Sequence, residues 1–167
     1  MEEKIYHCQI CAKPVKAGKG LIAHHGYKRP YKQGWQTGSC VGARFQPYEV
    51  SCDRIPYAIL LAQNFIKTTT AAYEADIKDP PAKLRVQKNR SGWNSEYIEV
   101  PRPEGFDAVK SMASSGLSFH SQKYEIEFNS IQRMRKAQME AAKRDLEFFQ
   151  ERLANWKPAA AGVVVHG

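Results

Sequence analysis

Over residues 54–78 the apolar positions Ile55, Ile59, Ala62, Ile66, Thr69, Tyr73 and Ile77 recur every three or four residues, which places one apolar stripe along a helix. Asp53 stands where an N-cap is expected, and Pro56 falls in the first turn, where a missing amide does no harm. Asp79-Pro80-Pro81 closes the helix, because neither proline can donate the next backbone hydrogen bond. Beyond it the period falls to two. Leu84-Arg85-Val86 and Tyr97-Ile98-Glu99-Val100 alternate around the polar run Asn89 to Asn94 and predict a β-hairpin, which Pro101 and Pro103 keep from extending. A Ser/Gly-rich linker, Ser111 to Ser118, leads into a second and longer helix starting near Ser118 or Ser121.

That helix carries Tyr124, Phe128, Ile131 and Met134, then Met139, Ala142, Leu146, Phe149, Leu153 and Trp156. From Met139 onward the steps alternate three and four, which is a heptad seam; the step of five before Met139 interrupts it. A helix from 121 to 156 is roughly 54 Å long at 1.5 Å per residue, more than a small module can cover. The arrangement expected is an antiparallel, coiled-coil-like pair of long helices with the β-hairpin inserted between them. The seam also offers a route to a homodimer. Pro158 stops the helix ahead of an Ala/Gly/Val tail.

The first 53 residues show no sustained period. Glycines at 18, 20, 26, 34, 38 and 42, three prolines and many polar residues bury too little apolar surface to fold unaided. The fold class expected is therefore α+β: a treble-clef-like zinc module over 1–53, a helical hairpin over 54–157 with its β insertion near 83–100, and a tail over 158–167.

No apolar run approaches the roughly 20 residues of a membrane-spanning helix, and Met1-Glu2-Glu3-Lys4 is not followed by the apolar core of a secretion signal. A cytoplasmic location and no membrane partner are the expectation. In a reducing cytoplasm, four cysteines favour metal binding over disulfides.

Cys8-Gln9-Ile10-Cys11 is a C-x2-C pair able to chelate one ion through a tight knuckle. The downstream candidates are His24, His25, Cys40 and Cys52. The two histidines follow Leu21-Ile22-Ala23, a short strand by composition, so they point to opposite faces and one of them enters the site. The set expected is Cys8, Cys11, His25 and Cys40, with His24 the alternate to His25. Cys40 is expected to open a helical turn running to Phe45. Cys52 reads as a packed thiol beside the first helix. A closed site of three thiolates and one imidazole holds structural Zn2+, whereas catalytic zinc keeps a position open for water. No carboxylate spacing, phosphate loop or free Cys/His pair suggests other chemistry, and an HNH-type nuclease lacks its later histidine, since the next one is His120. The protein is read as non-enzymatic.

The string Cys8-x2-Cys11, Ile22-Ala23-His24-His25-Gly26-Tyr27-x-Arg29-Pro30, and Gly34-x-Gln36-Thr37-x-Ser39-Cys40-x-Gly42-Ala43 resembles zinc-finger-like proteins of bacteriophages and prophages. The resemblance covers about the first 54 residues. It implies a phage or prophage origin and a bacterial cytoplasm, and carries no activity with it.

The chain has 25 basic and 17 acidic residues, a net charge of +8, and residues 1–53 hold eight basic against four acidic groups. Such a surplus attracts nucleic acid or an acidic protein. Lys28, Arg29 and Lys32 interleave with Tyr27, Tyr31 and Trp35, and Arg90 and Trp93 sit at the hairpin tip. Cations on phosphates with rings on unpaired bases suit single-stranded or distorted nucleic acid. Lys28, Arg29, Lys32, Arg90 and Trp93 are the contact candidates, and Tyr27 and Trp35 are read as module core. Two functions follow. One is a phage zinc protein that contacts nucleic acid through its basic module. The alternative is an anti-defence inhibitor that docks on a host enzyme or defence complex.

Overall fold

A computed structural model describes residues 5–18, 20–26, 38–88, 96–113 and 122–159. It combines short antiparallel strands with helices in the order β1 (Ile5–His7), β2 (Pro14–Gly18), β3 (Leu21–Ile22), α1 (Ile55–Lys78), β4 (Lys83–Gln87), β5 (Tyr97–Pro101), α2 (Ala108–Ala113) and α3 (Lys123–Ala154). The class is mixed α and β. Two compact units divide the chain: residues 1–63 with 144–167, and residues 64–143. Both long helices contribute residues to both units.

In the first unit, β1, β2 and β3 form an antiparallel sheet with Tyr6 opposite Val15 and Ala17 opposite Ile22. The proline that opens β2 lies at its first position, where it breaks no ladder. Ile22 is buried, and its amide and carbonyl pair with the Phe45 carbonyl and the Arg44 amide, so the 44–45 segment borders β3 without becoming a strand. Residues 41–44 make turns and not the helical turn expected after Cys40. Arg44 has φ 65°, a left-handed conformation that ends any helical continuation.

The start of α1 also differs from expectation. The Asp53 carboxylate, the expected N-cap, instead accepts from Ser51 Oγ at 2.7 Å and Gln9 Nε2 at 3.0 Å. Gln9 is fully buried; its Oε1 takes the Arg54 amide at 3.0 Å and its Nε2 also reaches the Gln46 carbonyl at 2.9 Å. One amide side chain thus ties the C-x2-C knuckle to the helix start.

The C-terminal end of α3 returns to this unit. Tyr48 Oη donates to the Arg152 carbonyl at 2.6 Å, Trp156 Nε1 to the Tyr48 carbonyl at 2.6 Å, and the Ala159 amide to the Glu49 carbonyl at 2.9 Å. Glu49 in turn accepts from the His7 amide and pairs with its ring.

In the second unit, β4 and β5 pair antiparallel, with Leu84 opposite Val100 and Val86 opposite Ile98. Leu84 and Val86 alternate inward onto Ala108, Tyr124 and Phe128, with Phe106 edge-on to both rings at 5.1 and 5.2 Å. Residues 111–113, expected as linker, end the short helix α2, whose first turn Asp107 caps by accepting from the amides of Val109 and Lys110. Thr70 meets Met139, while Asp76 takes Gln132 Nε2 at 2.9 Å and pairs with Arg135, so partner numbers rise on one helix as they fall on the other. The α3 stripe is not purely apolar here. Asn129 and Gln132 are buried and Met134 is exposed, because Ser111 and Asp76 supply polar partners on the buried side.

Candidate metal centre

Each ligand atom arrives from a tight piece of backbone. Residues 8–11 form a turn in which the Ala12 amide reaches the Cys8 carbonyl at 3.1 Å and the Ile10 amide points at Cys8 Sγ at 3.4 Å. Ala12 closes the turn with φ 56°. The pattern repeats 32 residues later: the Ala43 amide reaches the Cys40 carbonyl at 2.9 Å, the Gly42 amide points at Cys40 Sγ at 3.5 Å, and Arg44 closes with positive φ. The two knuckles share the amide-to-sulfur bond two residues on and the positive φ four residues on, while the backbone bond spans four residues in the first and three in the second; by spacing, Ala43 stands where the first knuckle has Cys11. The missing fourth thiolate is replaced by His25.

Cys8, Cys11, His25 and Cys40 place their Sγ and ring nitrogen atoms within 4.8 Å of one another, a group that could hold a metal ion. Cys8 Sγ lies 3.8 Å from Cys40 Sγ, and Cys11 Sγ lies 3.2 Å from His25 Nε2. All four cysteines are free of disulfides. Amide-to-sulfur hydrogen bonds of this kind favour thiolates, and three thiolates with one imidazole is a soft tetrahedral donor set suited to Zn2+.

The histidine is already set for that role. His25 Nδ1 lies 2.8 Å from the Ala23 carbonyl, to which it donates, leaving the Nε2 lone pair for the cluster. Burial would raise the Cys11 thiol, but the Lys13 amide, the His25 ring and the neighbouring sulfurs outweigh it and hold it below its ordinary value. Cys40 goes the other way: burial, aided by Cys8 and Cys11 and opposed by the Gly42 amide, pushes it up to about 12. Gly42 packs against the first knuckle so closely that a Cβ there would run into Cys8 Sγ and approach Ile10 to 3.2 Å.

His24 does not join the group. It is exposed, accepts from Arg44 Nε at 2.8 Å and lies 3.0 Å from Ser39 Oγ through Nδ1. Ser39 passes the chain on to the His25 carbonyl at 3.2 Å. Cys52 is half-buried and apart from the group; its carbonyl accepts the Ile55 amide at the foot of α1. Lys28, Arg29, Lys32, Arg90 and Trp93, with Tyr27 and Trp35, lie outside the described residues.

Sequence reasoning missed Gln9, Gly42 and Arg152. Gln9 carried a signal, being a long amide between two cysteines that must fold tightly. Arg152 carried none: its guanidinium stacks on the Tyr48 ring at 3.8 Å and its Nη2 donates to the Cys8 carbonyl at 3.2 Å, a contact across 144 residues. Among the described residues no helix is long and apolar enough to cross a membrane. No protein-family model, curated protein or solved structure matches this chain.

Proposed function

We propose that this is a non-enzymatic phage or prophage protein whose N-terminal module, treble-clef-like in outline, is organised by a structural Zn2+ on Cys8, Cys11, His25 and Cys40, and contacts nucleic acid through Lys28, Arg29 and Lys32. Four protein ligands fill a tetrahedral shell and leave no position for an activated water. The coiled-coil-like helical hairpin serves as scaffold, and the setting is a bacterial cytoplasm. One observation carries the reading. The Cys40 amide donates to the His25 carbonyl at 2.8 Å, so two ligands of the site pin both ends of the segment that holds Lys28, Arg29 and Lys32. A cation-rich segment anchored on a metal site suits phosphate contact, which positions without reading sequence.

The test is a salt series with single-stranded and duplex oligonucleotides, alongside elemental analysis. Binding should weaken steeply with salt, and Lys28→Ala, Arg29→Ala or Lys32→Ala should each reduce the log–log slope by about 1. Protein with one equivalent of zinc that retains neither oligonucleotide at low salt refutes the nucleic-acid role.

A further inference from the structure

Beside the knuckles, and within the first unit, lies a cavity of about 360 Å³ lined by Ile10, Val41, Phe45, Arg54, Tyr57 and Leu61. Its surface is almost wholly apolar, and its rim stands in water: Val41 is 74% exposed, Tyr57 57% and Leu61 51%. Bulky side chains left this open around one concavity mark an interaction site more often than a free surface. Arg54 is the exception in the lining. Its guanidinium lies over the Phe45 ring at 3.7 Å; among the described residues its Nε is buried without a hydrogen-bond partner, and it pairs with the Asp53 carboxylate at 3.6 Å.

Asp53 neutralises Arg54 incompletely. One of its oxygens is taken by Ser51 and Gln9, and the side chain stands 58% exposed to solvent. The first turn of α1, which forms one wall, contains no acidic residue, so the positive end of the helix adds to the guanidinium. The unit as a whole carries twelve basic and seven acidic groups. A partner fitting this groove needs apolar side chains for the cavity and a carboxylate for Arg54.

We infer that the groove docks a protein segment in which bulky apolar residues alternate with acidic ones. A nucleic-acid base fits less well, because Arg54 already covers the Phe45 face and the remaining walls are largely aliphatic, offering little for stacking. This inference rests on the metal-organised module. Ile10 lies in the first knuckle and Val41 in the second, so the distance between these two walls is set by the sulfur ligands on either side of them. The groove would give an inhibitor of host proteins its point of attachment.

The experiment uses the full chain with its zinc content measured, and three labelled probes. These are a 15-residue peptide of Leu, Phe, Asp and Glu, the same peptide with Lys in place of its acids, and a single-stranded oligonucleotide. The acidic peptide should bind at least tenfold tighter than the basic one. Tyr57→Asp and Leu61→Asp, both at exposed positions on α1 outside the knuckles, should each weaken it at least tenfold without changing zinc content, and Arg54→Glu should invert the preference between the peptides. Equal binding of the two peptides, indifference to Tyr57→Asp and Leu61→Asp, competition by the oligonucleotide for the same surface, or self-association that buries Tyr57 would each overturn the inference. Zinc-loaded protein that ignores the acidic peptide defeats the groove alone. Protein without zinc that still binds it defeats the metal reading and leaves the groove standing.

Discussion

Arg152 Nη2 donates to the carbonyl of Cys8, a metal-ligand candidate 144 positions earlier, while its guanidinium stacks on Tyr48. A cation shared between a carbonyl and a ring couples the end of α3 to the first knuckle. Arg152→Ala should lower the stability of the zinc-loaded protein by about 2 kcal/mol, the sum of a charged hydrogen bond and a cation–π contact. Arg152→Lys should recover only part of it, since an ammonium cannot stack as a guanidinium does. The urea midpoint at fixed zinc measures both.

Gly42→Ala puts a methyl group against Cys8 Sγ. Either the two knuckles separate or Cys8 leaves the group, so zinc affinity should fall by about 10- to 100-fold or more, as for other changes that misplace a ligand. Competition with a chromophoric chelator reads this directly.

The repeat of the knuckle predicts a rescue. His25→Ala should lose zinc, and adding Ala43→Cys should restore it, because position 43 repeats the place of Cys11 in the first turn. With Co2+ as the probe, the double variant should show stronger thiolate charge-transfer absorption than the native protein. His24→Ala should leave zinc binding within a few-fold of native, since that ring bonds to Arg44 and Ser39 and stands outside the metal group.

Metal uptake should depend on pH with a definite sign. The Cys40 thiol, raised to about 12 from its ordinary 9.0, keeps its proton at neutral pH in the metal-free protein, so zinc must expel it. Apparent affinity should rise about tenfold per pH unit for each proton displaced. The metal-free fold behaves oppositely. A thiol whose pKa is higher folded than unfolded contributes stability that is complete below 9.0 and is lost as pH rises toward 12. Chelator-treated protein should therefore unfold more readily from pH 9 upward, while the loaded protein does not.

The long elements were legible because each has a simple period. The α1 stripe of Ile55, Ile59, Ala62, Ile66, Thr69, Tyr73 and Ile77 has no exposed member, and the alternation around residues 89–94 marks the β4–β5 pair. Four chemically distinctive side chains brought His25 and the three cysteines into view. Strands β1 and β2 gave no comparable signal: Ile5–His7 is too short for alternation to be counted, and β2 opens with a proline. Asp53 misled for a different reason. Cap preference is a local statistic, and here a buried glutamine from another segment claimed the helix start and the carboxylate together. Met134 failed similarly, because a stripe counted only in apolar residues overlooks Asn129 and Gln132, which are buried with polar partners.

The hydrogen bond from the Cys40 amide to the His25 carbonyl has an evolutionary corollary. With the stem clamped by ligands, the intervening stretch can be lengthened or rewritten at small cost, since doubling a closed loop adds only about 0.6 kcal/mol. Changes of length and composition between positions 26 and 38 should thus leave Cys8, Cys11, His25 and Cys40 together, as interchangeable bits fit one handle.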